Sequence, residues 1–430
     1  MTYRQKIDDF LKSLEEECGP IPKFAQNLQR PKNKVYYSGP YFDRNELSAA
    51  IETLLFGNWS VNGEKTNEFE RKFAELIGEK DAISCNSGSS ANLVLITAAK
   101  EHFKWKDGDE IIVSPAGFPT TVSPICQNNL KPVFADIEWN TLNFDLNEVE
   151  KKITSRTVAI FVSPVLGNPP DIDRLLEIKN KYNIQLILDS CDSLGSKWNG
   201  INIQKYFFAS SYSFYPAHHI TILQGGMVTS DNEDFMAICQ SLTTWSRSCW
   251  CRGKANLLPN GVCGKRFSNW LENYDGKVDH KYVFQRMGYN LQILDLQAAI
   301  GVEQLKKFPE MENSRRQNFI KINQLLTKLN KFSFPSSLQK ADPSWFGVPI
   351  ICGSQSEKEK FVSYLEKNGI QTRNYFAGNL LIHKGFAHLD SYLNYPNANR
   401  VLSNVLFLGC WPGYTEENLT YIEEVFNKYV

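Results

Sequence analysis

The chain has 430 residues, enough for one large domain with a smaller companion, and at 42% hydrophobic and 13% aromatic residues it can bury a substantial core. Its 47 basic residues match its 47 acidic ones, which argues against a nucleic-acid or membrane-surface binder, since both need a basic excess. No apolar run approaches a membrane span and the first residues lack a signal-peptide core, so a cytoplasmic protein is expected, with its ten cysteines acting as buried thiols, metal ligands or redox groups rather than disulfides.

In chain order, the first forty residues read as a helical, proline-interrupted extension. Two amphipathic patterns follow, NELSAAIETLLFG and NEFERKFAELIG, each ending in the glycine expected at a helix C-terminus. Short apolar runs then alternate with helical patterns: DAISC, EIIVS, PVFADI, TVAIFV, IQLILD and the stretch ending in SYSF. That alternation predicts βαβ units feeding a mostly parallel sheet, hence an α/β fold. Residues 246–288, rich in Gly, Trp and Cys, form an insertion without period, and a loop of that length in a compact domain is usually functional. A long helical pattern starting at LDLQAAIG leads to a smaller α/β part. The expected division is an extension over 1–40, a large domain over 41–305 carrying the insertion, and a connecting helix with a small domain over 306–430.

Four motifs lie where such sheets bind ligands. In CNSGSSAN a strand ends and Ser87, Gly88 and Ser89 open a helix, an arrangement that suits either an anion such as phosphate or an ordinary helix cap. In SPAGFPTTV, Phe118 can lie over a planar ligand or join the core. In LILDSCDSLG, Asp189 closes a run of apolar residues at a strand's C-terminal end, where a carboxylate is either paired with a cation or functional. SFYPAHHITILQGG sets His218 and His219 in a turn bounded by Pro and Gly, in a chain with only six histidines.

Together with GYNLQILDLQ, where Asn290 is read at a helix start, these motifs resemble in order and spacing the DegT/DnrJ/EryC1/StrS sugar aminotransferases, over nearly the whole chain. The resemblance implies the fold type I architecture of pyridoxal-phosphate transferases, with a large mostly parallel sheet and a small C-terminal domain. It implies that Ser87, Gly88, Ser89 and Ser213 hold the cofactor phosphate and that Phe118 stacks on the pyridine ring. Asp189 would pair with the ring nitrogen, Asp192 would lie near the ring hydroxyl, and Asn290 would reach the phosphate of the neighbouring subunit in a homodimer. Where that family carries the lysine that holds pyridoxal phosphate covalently, this chain has His218, and it has no lysine between Lys205 and Lys254. Imidazole cannot anchor the cofactor but can move a proton near neutral pH. The resemblance therefore narrows to the family's 3-dehydratase branch, which uses pyridoxamine phosphate bound without a covalent link to deoxygenate C3 of a nucleotide-linked 4-keto-6-deoxyhexose. His218 is the expected base and CDP-4-keto-6-deoxyglucose the leading substrate, in 3,6-dideoxysugar and lipopolysaccharide O-antigen synthesis.

The cysteines resemble those of the iron–sulfur subgroup of that branch. Cys191 and Cys249 are separated by 57 residues, Cys249 and Cys251 by a single residue, and Cys263 is the natural fourth. Eleven residues separate Cys251 from Cys263, more than the subgroup's pattern. A [2Fe–2S] cluster is expected on these four thiolates, with zinc as the rival ligand, and it implies an NADH-dependent flavin/iron–sulfur reductase as electron donor. The alternatives are a cluster-free dehydratase releasing a 3-deoxy-4-ketosugar and a non-catalytic sensor of nucleotide sugar or vitamin B6. Arg373, Arg400 and Lys265 are candidates for contact with the nucleotide diphosphate.

Overall fold

A computed structural model describes residues 2–18, 33–57, 60–249, 265–268 and 271–429. Seven strands make the large sheet: β1 (Asp81–Cys85), β2 (Glu110–Val113), β3 (Lys131–Phe134), β4 (Thr157–Val162), β5 (Gln185–Asp189), β6 (Ala209–Ser213) and β7 (Gly226–Ser230). Their spatial order is β1-β7-β6-β5-β4-β2-β3, with β3 to β6 joined by parallel pairs and β7 antiparallel to both neighbours. The six apolar runs expected as strands are β1 to β6. No expected run corresponds to β7: its five residues are all buried, yet only Met227 and Val228 are apolar, so neither alternation nor a continuous apolar run marks it.

Parallel strands need cover on both faces, and period-2 alternation supplies it. Leu186 and Leu188 of β5 join the core that also holds Ile172, Leu175 and Ile178 of the helix Ile172–Tyr182. Ile187 between them faces the opposite core with Val94, Leu95 and Ala98 of the helix Gly88–His102. Each such buried side chain contributes about 1.5–3 kcal/mol.

The helix Asp295–Lys328 is continuous through the expected division at 305/306, so the connecting helix starts before the predicted boundary. Gly301 lets it pack directly on the ring of Phe69, since a Cβ there would lie 2.5 Å from a ring carbon. Its Ile322, Leu325 and Leu326 enter the core of a second, antiparallel sheet. That sheet consists of β8 (Gly347–Ile351), β9 (Thr372–Asn374) and β10 (Val405–Gly409), in the order β8-β10-β9. Leu406 and Leu408 of β10 point into this core, while Phe407 points the other way, into the core of the large sheet. Among the described residues no helix is long and apolar enough to cross a membrane.

One glycine fixes how close the strands come at the ligand end of the large sheet. Gly226 begins β7 and is the register partner of both Cys85 and Ser213. A Cβ on it would stand 2.3 Å from the Ser87 carbonyl oxygen, a backbone atom that cannot step aside. Gly226→Ala is expected to destabilise the protein by about 1–3 kcal/mol through overpacking, seen as a lower denaturation midpoint; an unchanged midpoint would show that β7 and the Ser87 turn separate freely.

Candidate active site

The C-terminal ends of β1, β5 and β6 open onto a cavity of about 610 Å³, closed on its other side by residues of the smaller sheet and its flanking turns. Ser87 caps the helix Gly88–His102, its Oγ accepting from the Ser90 amide at 3.0 Å. The first-turn amides of that helix have no partners within the helix itself, and they meet the cavity beside the hydroxyls of Ser89, Thr120 and Ser213. Gly88 sits so close to Ser213 that a Cβ would lie 2.6 Å from the serine Cβ. This is a cradle of neutral donors with a helix N-terminus behind them.

Asp189 ends β5 and is 5% exposed. Its Oδ2 accepts from Asn92 Nδ2 at 2.8 Å and from Thr121 Oγ1 at 2.7 Å, and its Oδ1 accepts from the Cys191 amide at 3.2 Å. Ser211 donates to Asn92 Oδ1, which turns the Asn92 amide nitrogen toward the carboxylate. Among the described residues Asp189 has no Lys, Arg or His partner, so a buried carboxylate lines the cavity with neutral donors alone. Of the two sequence expectations for it, pairing with a protein cation is not met. Asn92 and Thr121 are not among the residues expected from the sequence. Asn92 lies four residues after Gly88 and so on the same helix face, the one available hint.

The histidine turn divides its two imidazoles. His219 is buried beneath the cavity, its Nε2 3.0 Å from the Ser344 carbonyl oxygen. His218 lines the cavity, packs on the Phe346 ring at 5.1 Å between centroids, and places Nδ1 3.6 Å from Asp192 Oδ1. The turn is pinned from several sides. Ser38 Oγ donates to the Ala217 carbonyl at 3.0 Å, Thr221 Oγ1 to the Phe214 carbonyl at 2.9 Å, and the buried Arg315 to the carbonyls of Phe346 at 3.0 Å and His218 at 3.5 Å. Burial pushes the His218 imidazole down to about 4. Burial, and then the neighbouring Asp189 carboxylate, lifts the Asp192 carboxyl to about 8. Near pH 7 the proton therefore rests on Asp192 and the imidazole is neutral, the form that can accept a proton.

Phe118 is the residue before the helix Pro119–Gln127, is 51% exposed at the cavity edge, and meets Phe376 edge to face at 6.2 Å. Gln224 also lines the cavity, and its carbonyl accepts from Gln297 at 2.7 Å. Asn290 is not brought to the cavity and does not start a helix: it lies in an extended segment bridged to Thr244, exposed, and the helix begins at Asp295. Cys191 opens on the cavity, and its thiol is pushed well above its ordinary value by burial and by Asp189 and Asp192. Cys249 is half-buried on the segment after the helix Glu233–Thr243. Cys251 and Cys263 lie outside the described residues, and among the described residues no three His, Cys, Asp or Glu side chains are grouped to hold a metal ion.

Compared with known proteins, residues 42–427 match the DegT/DnrJ/EryC1/StrS aminotransferase family. The chain belongs to that family. It is 36% identical over 424 residues to the lipopolysaccharide biosynthesis protein RfbH of Salmonella typhimurium, covering 95% of this chain and 96% of that one. It is 34% identical over 401 residues to the dTDP-4-dehydro-2,6-dideoxy-D-glucose 3-dehydratase of Saccharopolyspora spinosa, covering 91% and 86%. Among solved structures, E. coli GDP-4-keto-6-deoxy-D-mannose-3-dehydratase with bound hydrated PLP superimposes with a TM-score of 0.78 at 29% identity, covering 91% of this chain and all of that one. The fold of this family member is thus that of PLP-dependent transferases, and relatives along nearly its whole length are named 3-dehydratases.

Proposed function

We propose that this family member is a pyridoxamine-phosphate-dependent 3-dehydratase of a nucleotide-linked 4-keto-6-deoxyhexose, with CDP-4-keto-6-deoxyglucose the first substrate to test, and not a net aminotransferase. One observation carries the reading: the cavity is lined by the imidazole of His218, and no lysine lines it among the described residues.

The residues present fit the cofactor. The helix N-terminus with Ser87, Gly88, Ser89 and Ser213 suits a phosphate, and Asp189, supplied only with neutral donors, suits a protonated pyridine nitrogen. Phe118 would cover the ring face, and Asp192, protonated, would donate to the ring hydroxyl oxygen. Bound there, pyridoxamine phosphate supplies an amine able to condense with a ketone and a ring able to take up an electron pair. His218 would serve as the base for the proton given up at the amine-bearing carbon and, once protonated, would return it to the C3 hydroxyl, which would leave as water. Asp189 keeps the ring nitrogen charged, and the closed turn around His218 fixes where that proton goes. Asn290, exposed at the surface, would reach the phosphate cradle of a second subunit in a homodimer.

Leaving C3 as a methylene requires two electrons and two protons. Cys191, Cys249, Cys251 and Cys263 would hold a [2Fe–2S] cluster, which supplies single-electron transfer from an NADH-dependent flavin/iron–sulfur reductase. The Salmonella relative's name supports a role in lipopolysaccharide synthesis. Protein purified anaerobically is expected to contain iron and labile sulfide in equal amounts, about two of each per chain, with visible bands that bleach on reduction and are lost in Cys249→Ser. Protein without iron that still turns the substrate over would replace this half of the reading with the cluster-free dehydratase.

A further inference from the structure

A buried cation stands behind the histidine turn with no charge to balance it. Arg315, on the helix Asp295–Lys328, is 2% exposed and pairs with no carboxylate among the described residues. It does not line the cavity; of the three cations raised by the sequence, Arg373 does, and Arg400 and Lys265 do not. Burying a guanidinium without a counter-charge is costly, and an apolar side chain of similar volume would usually fill such a place at least as stably. The reason for the charge lies in what its N–H groups hold.

Nη1 donates to the Phe346 carbonyl at 3.0 Å and lies 3.8 Å from Cys410 Sγ, while Nη2 reaches the His218 carbonyl at 3.5 Å. Phe346 directly precedes β8 and Cys410 directly follows β10, two strands whose register pairs Gly347 with Gly409. One planar fork therefore joins the end of the smaller sheet to the turn that carries the imidazole. The Phe346 ring is the surface on which the His218 ring packs, at 5.1 Å between centroids, and both line the cavity. Phe346 is fixed from its other side as well. Its amide donates at 2.9 Å to the carbonyl of Leu166, a fully buried leucine in the left-handed conformation at φ 56°. Such a conformation persists only where its surroundings impose it.

The same helix pins the rest of the turn. Gln297 donates to the Gln224 carbonyl at 2.7 Å, and Gln304 Oε1 accepts from the Thr221 amide at 3.3 Å. Residues 297, 304 and 315 lie about two and about three helical turns apart, so one helix face follows the chain from Gln224 back to His218. Of the three, Arg315 alone also grips the residue on which the imidazole leans.

We propose that Arg315 is a positioning residue for proton transfer: holding the His218 and Phe346 backbones in one rigid fork, it fixes the distance and angle at which the imidazole meets the reacting carbon. The assignment rests on the dehydratase reading above and concerns a side chain that touches neither cofactor nor substrate. Proton transfer is steep in distance, and a displacement of about 1 Å is enough to cost about 100-fold.

The test is a double-mutant cycle on holoprotein loaded with pyridoxamine phosphate, turning over a nucleotide-linked 4-ketosugar with a reductase. Arg315→Met is expected to lower kcat roughly 10- to 100-fold, while KM and the affinity for pyridoxamine phosphate, read by fluorescence titration, stay within about threefold. In the His218→Asn background the same substitution should lower turnover less than about twofold, because a residue that acts only through the imidazole has nothing left to position. Arg315→Lys, which keeps the charge and loses the fork, should show the same pattern with a smaller loss, so the outcome does not depend on methionine being tolerated. In cofactor-free protein the His218 imidazole NMR signals, assigned by their absence from His218→Asn, should shift in both variants. An unchanged kcat, an equal loss with and without His218, an unmoved imidazole signal, or a loss that follows cofactor affinity overturns the assignment alone. Wild-type protein that turns over no CDP-, GDP- or dTDP-linked 4-ketosugar overturns both the assignment and the reading beneath it.

Discussion

His218→Asn is expected to lower turnover by about 10²–10⁴-fold, the usual worth of a positioned proton-transfer group, while pyridoxamine phosphate stays bound within a few-fold of wild-type affinity. The two effects separate because His218 lines the cavity without belonging to the cradle. Its imidazole touches Phe346 and Asp192, whereas the phosphate donors and Asp189 are mounted on β1, β5, β6 and the helix Gly88–His102. The turn should survive the substitution, since its hydrogen bonds run through the carbonyls of Phe214, Ala217 and His218, which asparagine retains. Asparagine is also a poor base, with no lone pair comparable to neutral imidazole. Steady-state turnover with a reductase and a 4-ketosugar, beside a fluorescence titration of the cofactor, measures both. Turnover within threefold of wild type would mean that some other group moves the proton.

Asp189→Asn should weaken cofactor binding by about 10²-fold or more, the scale of removing one partner from a buried charge pair, about 3–5 kcal/mol. The geometry makes this substitution a clean one. Asn92 and Thr121 both donate to Oδ2, so an asparagine placing its oxygen there keeps those two hydrogen bonds and the fold around them. What changes is the Oδ1 side, where an acceptor bearing negative charge becomes an uncharged donor facing the Cys191 amide and the ligand. Loss of cofactor during gel filtration, with the cofactor-free protein destabilised by no more than the lost Cys191 hydrogen bond, about 0.5–1.5 kcal/mol, is the expected pattern. Unchanged retention would show that Asp189 serves the strand end and not the ring nitrogen.

The parts of the site nearest the backbone pattern are legible in the amino-acid sequence. β1 and β5 are buried apolar runs, and in an open α/β sheet their C-terminal ends must form one rim, so Ser87 and Asp189 are expected to converge, while Ser213 is expected there from the family resemblance. The histidine turn is legible because it interrupts that rhythm with Pro and Gly. Asn92 and Thr121 are not, because a polar residue on an inner helix face looks like any other until the element it faces is known. β7 escapes for a related reason: small and polar residues are buried there because Gly226 must pass the Ser87 carbonyl, and packing of that kind leaves no periodic trace. Among three candidate cations, a strand as short as Thr372–Asn374 carries too little pattern to fix which face Arg373 takes; pairing with Phe407 does so. Asn290 is read at a helix start because Leu291, Ile293 and Leu294 carry the apolar pattern upstream of the helix, which itself begins only at Asp295.

The most direct test of the account is borohydride reduction of protein reconstituted with pyridoxal phosphate, followed by proteolysis and mass spectrometry. With an imidazole where the anchoring amine would stand, the account predicts that the vitamin leaves as a free small molecule and no lysine peptide gains a pyridoxyl group. A stoichiometric pyridoxyl-lysine would contradict it, because a chain that anchors its cofactor covalently has the means to complete an ordinary amino transfer.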